Sequence, residues 1–111
     1  MNFRTLKKSE AGVASGTSLW KRINATYEEL KSIFGKPTYP TGDGYKTDVE
    51  WVIKLDNGTV FTIYNWKDGK HYLGTSGLSK SQITDWHIGL NQGDPYASLN
   101  AIRFLKSVGL M

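Results

Sequence analysis

The chain has 111 residues, enough to bury one core and too few for two, and a composition of 39% hydrophobic and 22% charged residues sets it apart from disordered chains. It has no cysteine, which excludes disulfides, thiolate nucleophiles and Cys-ligated zinc. The net charge of +4 is uneven, with bases outnumbering acids five to one over residues 1–25, acids leading six to four over 26–64, and bases leading five to three over 65–111; basic ends can draw an anionic partner or simply keep a surface solvated.

Taken in chain order, "MNFRTLKKSEAG" has basic residues but no apolar run of signal-peptide length, so neither secretion nor membrane insertion is expected and a cytoplasmic protein is. Residues 1–15 read as a flexible basic segment and residues 16–111 as a single α+β domain. "LWKRIN" (Leu19 to Asn24) alternates in the manner of a short strand. In "TYEELKSIFGKP", Thr26 and Glu29 form a capping box, Tyr27, Leu30, Ile33 and Phe34 share one face, and Gly35 and Pro37 stop the helix, which predicts a helix over 27–34.

"VEWVIKL" followed by "DNG" and "TVFTIYNW" predicts a hairpin with two competing registers. A two-residue turn sets Trp51 opposite Tyr64 and scatters apolar groups over both faces. A three-residue Asp56-Asn57-Gly58 loop with Gly58 in a bulge sets Ile53 opposite Phe61 and Trp51 opposite Ile63, gathering one core face, and is therefore preferred. Tyr64 and Trp66 then lie on the other face with Glu50, Val52 and Lys54. Asp68-Gly69 suggests a second tight turn into a short strand near Lys70 to Leu73, and "ITDWHIG" reads as a last strand. Asp94 as N-cap, Pro95 at the first helical position and the apolar spacing of "YASLNAIRFLKSV" predict a terminal helix ended by Gly109. The expected architecture is an antiparallel sheet of three to five strands with two helices packed on one face.

The two histidines, His71 and His87, can be combined with Asp85 or Glu50 as an acid–base pair or metal site, but no dense ligand motif accompanies them, so neither a metal nor a cofactor is expected. The serines lack a GxSxG elbow or SxxK motif, and the two "GTS" stretches match no phosphate-binding loop. The strongest functional pattern is aromatic and basic. Tyr64, Trp66, Tyr72 and Trp86 can stack on bases while Lys67, Lys70 and His71 meet phosphate, with His87 beside them. The competing reading puts Trp66 and Tyr72 in a second small apolar cluster beneath the C-terminal helix.

The blocks "GTSL", "ATYEELKSIFGKP", "GYKTDVEW", "IYNWKDGKHYLG" and "ITDWHIG", spanning Gly16 to Gly89, resemble a family of small proteins of bacteriophages and large viruses with no established enzymatic activity. Leu90 follows Gly89 where that family's pattern carries a second glycine. The resemblance implies a viral accessory protein in the host cell cytoplasm, one that antagonises host defence by binding a nucleotide signal, a nucleic acid or a nuclease complex. Two alternatives come from other classes: a small nucleotide-processing enzyme using His87 or His71, and a structural or assembly protein forming a homo-oligomer through an exposed hairpin.

Overall fold

The computed structural model describes residues 2–111. Five strands form one antiparallel sheet: β1 (Phe3–Thr5), β2 (Ser18–Asn24), β3 (Glu50–Leu55), β4 (Val60–Tyr64) and β5 (Asp85–Leu90), in the order β1-β3-β4-β5-β2. The helices are α1 (Tyr27–Phe34), the single-turn α2 (Lys70–Leu73) and α3 (Ala97–Ser107), with 3₁₀ turns at Lys8–Ala14, Gly74–Ser76 and Lys80–Gln82.

The central hairpin follows the bulged register. Ile53 pairs with Phe61, Trp51 with Ile63 and Glu50 with Tyr64, and Gly58 has the positive φ of 92° that this loop demands. One sheet face therefore carries Trp51, Ile53, Phe61, Ile63, Trp86 and Ile88, all fully buried against Leu30 and Phe34 of α1 and Ala101, Phe104 and Leu105 of α3. The two buried indoles meet edge to face at 5.7 Å. Each also spends its N–H on a backbone carbonyl, Trp51 on Gly35 at 3.0 Å and Trp86 on Ala25 at 2.9 Å, so neither ring buries an unpaired donor.

Helix α1 begins and ends as the capping box requires: Glu29 N–H donates to Thr26 Oγ1 and Thr26 N–H to Glu29 Oε1, both at 3.0 Å, and Gly35 leaves with φ 74°. The terminal helix starts later than its sequence suggests. Asp94 Oδ1 accepts from Tyr96 N–H and Asp94 O from Ala97 N–H, so Asp94-Pro95 forms a separate turn and α3 opens at Ala97. Gly109, with φ 81°, ends it.

Three expectations are corrected. Residues 1–15 are not a segment outside the domain: Phe3–Thr5 is an edge strand on β3, and Leu6 and Ala11 are buried with Val52, which gives the second sheet face a small core of its own. Apolar positions too sparse to look periodic achieve this because a three-residue strand and a 3₁₀ turn need only two anchors. The segment Lys70–Leu73 is a helical turn, not a strand, because Asp48 holds the His71 amide in its first turn, as described below. The β3–β4 hairpin lies at the centre of the sheet with both outer edges paired, to β1 and to β5, so it offers no free edge to a second copy. The free edges belong to the short β1 and to β2, which is bulged between Leu19 and Lys21. Among the described residues no helix is long and apolar enough to cross a membrane.

Candidate functional site

The sheet face opposite the Trp51 core carries a row of four side chains set by register. Glu50 pairs with Tyr64, Tyr64 with His87, and His87 with Arg22, on β3, β4, β5 and β2 in turn. Because cross-strand partners share a face, these groups are neighbours. The Tyr64 and His87 rings lie 5.5 Å apart. Trp66, two residues beyond Tyr64, meets it edge to face at 6.2 Å and lies nearly parallel to the imidazole of His87 at 6.5 Å.

Two loops complete this surface. The loop before β3 is closed by Asp43, whose Oδ1 accepts the backbone N–H groups of Tyr45 and Thr47 while its own N–H donates to Thr47 Oγ1. Burial works against the Asp43 charge, but these backbone donors outweigh it and hold the carboxyl below its ordinary range. The turn presents Tyr45 and Lys46. Tyr45 lies 5.4 Å from Tyr72, and Lys46 Nζ sits 5.7 Å from the Tyr45 ring and 5.4 Å from that of Trp66. The second loop follows β4. Lys67 is the one non-glycine with positive φ among the described residues, at 59°, and its N–H donates to Lys46 O at 2.8 Å. That backbone bond joins the two loops, and the left-handed turn brings Lys67 Nζ within 5.7 Å of Trp66 and 5.4 Å of Tyr72. A lysine in this conformation costs about 1 kcal/mol relative to glycine, a cost commonly met at functional positions.

A buried polar hub anchors the second loop. Asn65, fully buried, accepts from the N–H groups of Asp48 at 2.7 Å and Val49 at 3.3 Å and donates to Asp48 Oδ1 and Asp68 Oδ1, both at 2.9 Å. Asp48 Oδ2 takes the His71 N–H at 3.2 Å, which starts α2. Gly69 packs so closely that a Cβ there would lie 2.0 Å from Asp48 Oδ1. Only glycine fits.

The structure thus brings together most, not all, of the candidate residues. Tyr64, Trp66, Lys67, Tyr72 and His87 form one continuous surface. Trp66 and Tyr72 are 39% and 38% exposed, so neither forms a cluster beneath α3. Trp86 is fully buried on the core face and cannot meet a ligand. His71 is bound into the fold: its Nδ1 lies 3.0 Å from Thr47 O and 3.8 Å from Asp48 Oδ2. Lys70 heads α2 as an exposed cation outside the ring contacts. Sequence reasoning missed Tyr45 and Lys46, which lie about twenty residues away in a loop whose only local signal is Asp43 flanked by glycines. It named Glu50 only as a partner for the histidines, and not as a neighbour of Tyr64 on this surface.

Glu50 is half-buried beside Tyr64, and its carboxyl is pushed up to about 7 by burial first and by the nearby Asp43 charge second. Burial, then the Glu50 charge, raises the Tyr64 phenol. His87 is held below its ordinary value, mainly by burial, with Arg22 adding to the effect and Asp85 and Asp68 opposing it. Two groups with shifted pKa values, Glu50 raised and His87 lowered, therefore flank one phenol, the pattern expected where ligands or protons are handled. Among the described residues no group of three or more His, Asp or Glu side chains is arranged to hold a metal ion. Comparison with family models, with curated proteins and with solved structures finds no match for this chain.

Proposed function

We propose that the protein is a non-enzymatic binding module whose aromatic and basic surface takes a phosphate-bearing ligand with a stackable base, either a nucleotide signal or a single-stranded nucleic acid. One observation carries this reading: four exposed or half-exposed aromatics, Tyr45, Tyr64, Trp66 and Tyr72, are interleaved with Lys46 and Lys67, whose ammonium groups lie over the rings. Such surfaces bind single strands because every base has a π-face and every nucleotide a phosphate. The rings are surplus to the core, which is complete without them. With the resemblance to phage and large-virus proteins, the same surface supports a viral accessory role in the host cytoplasm. There it would antagonise defence by sequestering a nucleotide signal or by occupying the nucleic-acid path of a nuclease complex.

Titration of intrinsic tryptophan fluorescence with a thymidine oligonucleotide and with cyclic dinucleotides tests this. Trp51 and Trp86 are fully buried, so quenching reports chiefly on Trp66 and the half-buried Trp20. Stacking on one ring contributes about 1–3 kcal/mol, so Trp66→Ala should weaken binding roughly ten- to a hundredfold. Lys67→Ala should lower the slope of log affinity against log salt by about one. Unchanged binding by the folded double variant refutes the site.

The flanking of Tyr64 by Glu50 and His87 favours one other reading, a nucleotide-processing enzyme with these two as acid and base. Recovery of intact ligand after denaturation supports binding alone, and recovery of a product supports catalysis.

A further inference from the structure

The Glu50 carboxyl is an acceptor with no partner from the protein at the edge of the aromatic surface, and its oxygens are open to solvent. Among the described residues neither a hydrogen bond nor an ion pair reaches it, although the residue is half-buried. The charge that acts on it is another acid, Asp43, whose own oxygen is already committed to the Tyr45 and Thr47 amides. A half-buried carboxyl so arranged costs stability and holds nothing together inside the fold. What it lacks is a pair of N–H donors.

The sheet register says where such donors would come from. Glu50, Tyr64 and His87 occupy one row on three adjacent strands, a span of two strand spacings or about 10 Å. Trp66 stands over the His87 end of that row, and Lys46 and Lys67 lie over Trp66. The row is long enough for a purine to lie along it with one edge at Glu50 and its sugar and phosphate toward the lysines.

We infer that Glu50 reads the base held by this surface and that the base is guanine, whose N1–H and exocyclic N–H stand side by side and match the two oxygens of one carboxylate. This rests on the proposed nucleotide-binding role and narrows it to guanine nucleotides. An ionised carboxylate offers acceptors only, so the edges of adenine, cytosine and uracil, each of which sets an acceptor directly beside its donor, leave one oxygen facing a lone pair. Because the free carboxyl is partly protonated near neutrality, accepting two donors also expels its proton. Guanine binding therefore releases protons at pH 7.

The experiment titrates the full chain and its Glu50→Gln and Trp66→Ala variants with GMP, AMP, CMP and UMP, following tryptophan fluorescence. Calorimetry at pH 7 in two buffers of different ionisation enthalpy measures the protons exchanged. GMP is expected to bind roughly ten- to a hundredfold more tightly than AMP, the usual worth of a bidentate base contact. Glu50→Gln should remove that preference and the proton release, because an amide sets one acceptor beside one donor and so fits the adenine edge better than the guanine edge. Equal affinities for the four nucleotides, equal weakening of all four by Glu50→Gln, or a preference for AMP or CMP with proton uptake would each overturn the guanine assignment while leaving the binding surface standing. Absence of binding by all four mononucleotides overturns the guanine assignment, and absence of binding by the thymidine oligonucleotide and the cyclic dinucleotides as well overturns the binding surface.

Discussion

Replacing Glu50 by glutamine should stabilise the protein at neutral pH while impairing its site. In the unfolded chain a glutamate titrates near 4.5, and in the fold Glu50 titrates at about 7. Below pH 4.5 both states are protonated and the residue adds no penalty. Between 4.5 and 7 the unfolded state ionises first, so it binds fewer protons than the folded state and rising pH favours unfolding. Above 7 the whole cost is present. At about 1.4 kcal/mol per pH unit of separation, that cost is roughly 3 kcal/mol. A glutamine side chain at this position never ionises and escapes it. Urea melts of parent and Glu50→Gln at intervals from pH 4 to pH 8 should coincide at the acid end and separate to roughly 3 kcal/mol at pH 8, or roughly 10 °C in thermal midpoint. His87 acts in the opposite sense. Its folded value is depressed, so it costs stability at acid pH and that cost fades as pH rises past its ordinary value. The contribution is common to both proteins and cancels in the difference. Parallel curves, or a variant less stable than its parent at pH 8, would refute the view that Glu50 is a strained, partnerless acid.

Other substitutions test the scaffold beneath the site. Asn65→Ala leaves the Asp48 amide and carboxylate without their main partner and should cost about 2–4 kcal/mol in urea unfolding. Asn65→Asp, which puts a third carboxyl between Asp48 and Asp68, should be worse at neutral pH and recover in part on acidification. Gly69→Ala drives a methyl into Asp48 Oδ1, so the second loop must shift, and circular dichroism should report a lowered midpoint together with weakened ligand quenching. Lys67→Gly relieves the positive φ and should gain up to about 1 kcal/mol of stability while losing a cation from the surface; loss of stability without loss of binding would contradict the functional reading of that strain.

Much of the fold was legible because its strongest signals are local or two-body. Thr26 and Glu29 announce α1 through atoms three residues apart. The hairpin register follows from the rule that Trp51 and Ile53 need apolar partners on one face, which only the three-residue loop provides. The misreadings arise where tertiary contacts decide. Phe3–Thr5 becomes a strand because β3 has a free edge beside it, and nothing in "FRT" reports that. "KHYL" turns helical because a carboxylate more than twenty residues earlier takes its second amide, that of His71. Trp86 and Trp66 are equivalent in composition and opposite in fate. Trp86 lies on the core face with Ile88, its alternate neighbour on β5, whereas Trp66 lies past the end of β4, where alternation no longer assigns a face. Tyr45 and Lys46 were invisible for a related reason, since what makes them part of the surface is one hydrogen bond between Lys67 N–H and Lys46 O.

The division of labour between the two sheet faces explains why a chain this small carries so many rings. A core for 111 residues is already complete in Trp51, Trp86, Phe61 and Phe104 with their aliphatic neighbours, and the second face needs only Leu6, Ala11 and Val52 to seal one end. The other end is left open. There the rings of Tyr64, Trp66, Tyr45 and Tyr72 are anchored by the Asn–Asp hub and accompanied by two features that cost stability: a left-handed lysine and an acid titrating near neutrality with no partner from the protein. A surface kept only for solubility would be more stable with a glycine in place of Lys67 and a glutamine in place of Glu50. The concentration of two such costs at one patch is a physical argument for the proposed ligand role, and it stands apart from any likeness to other proteins.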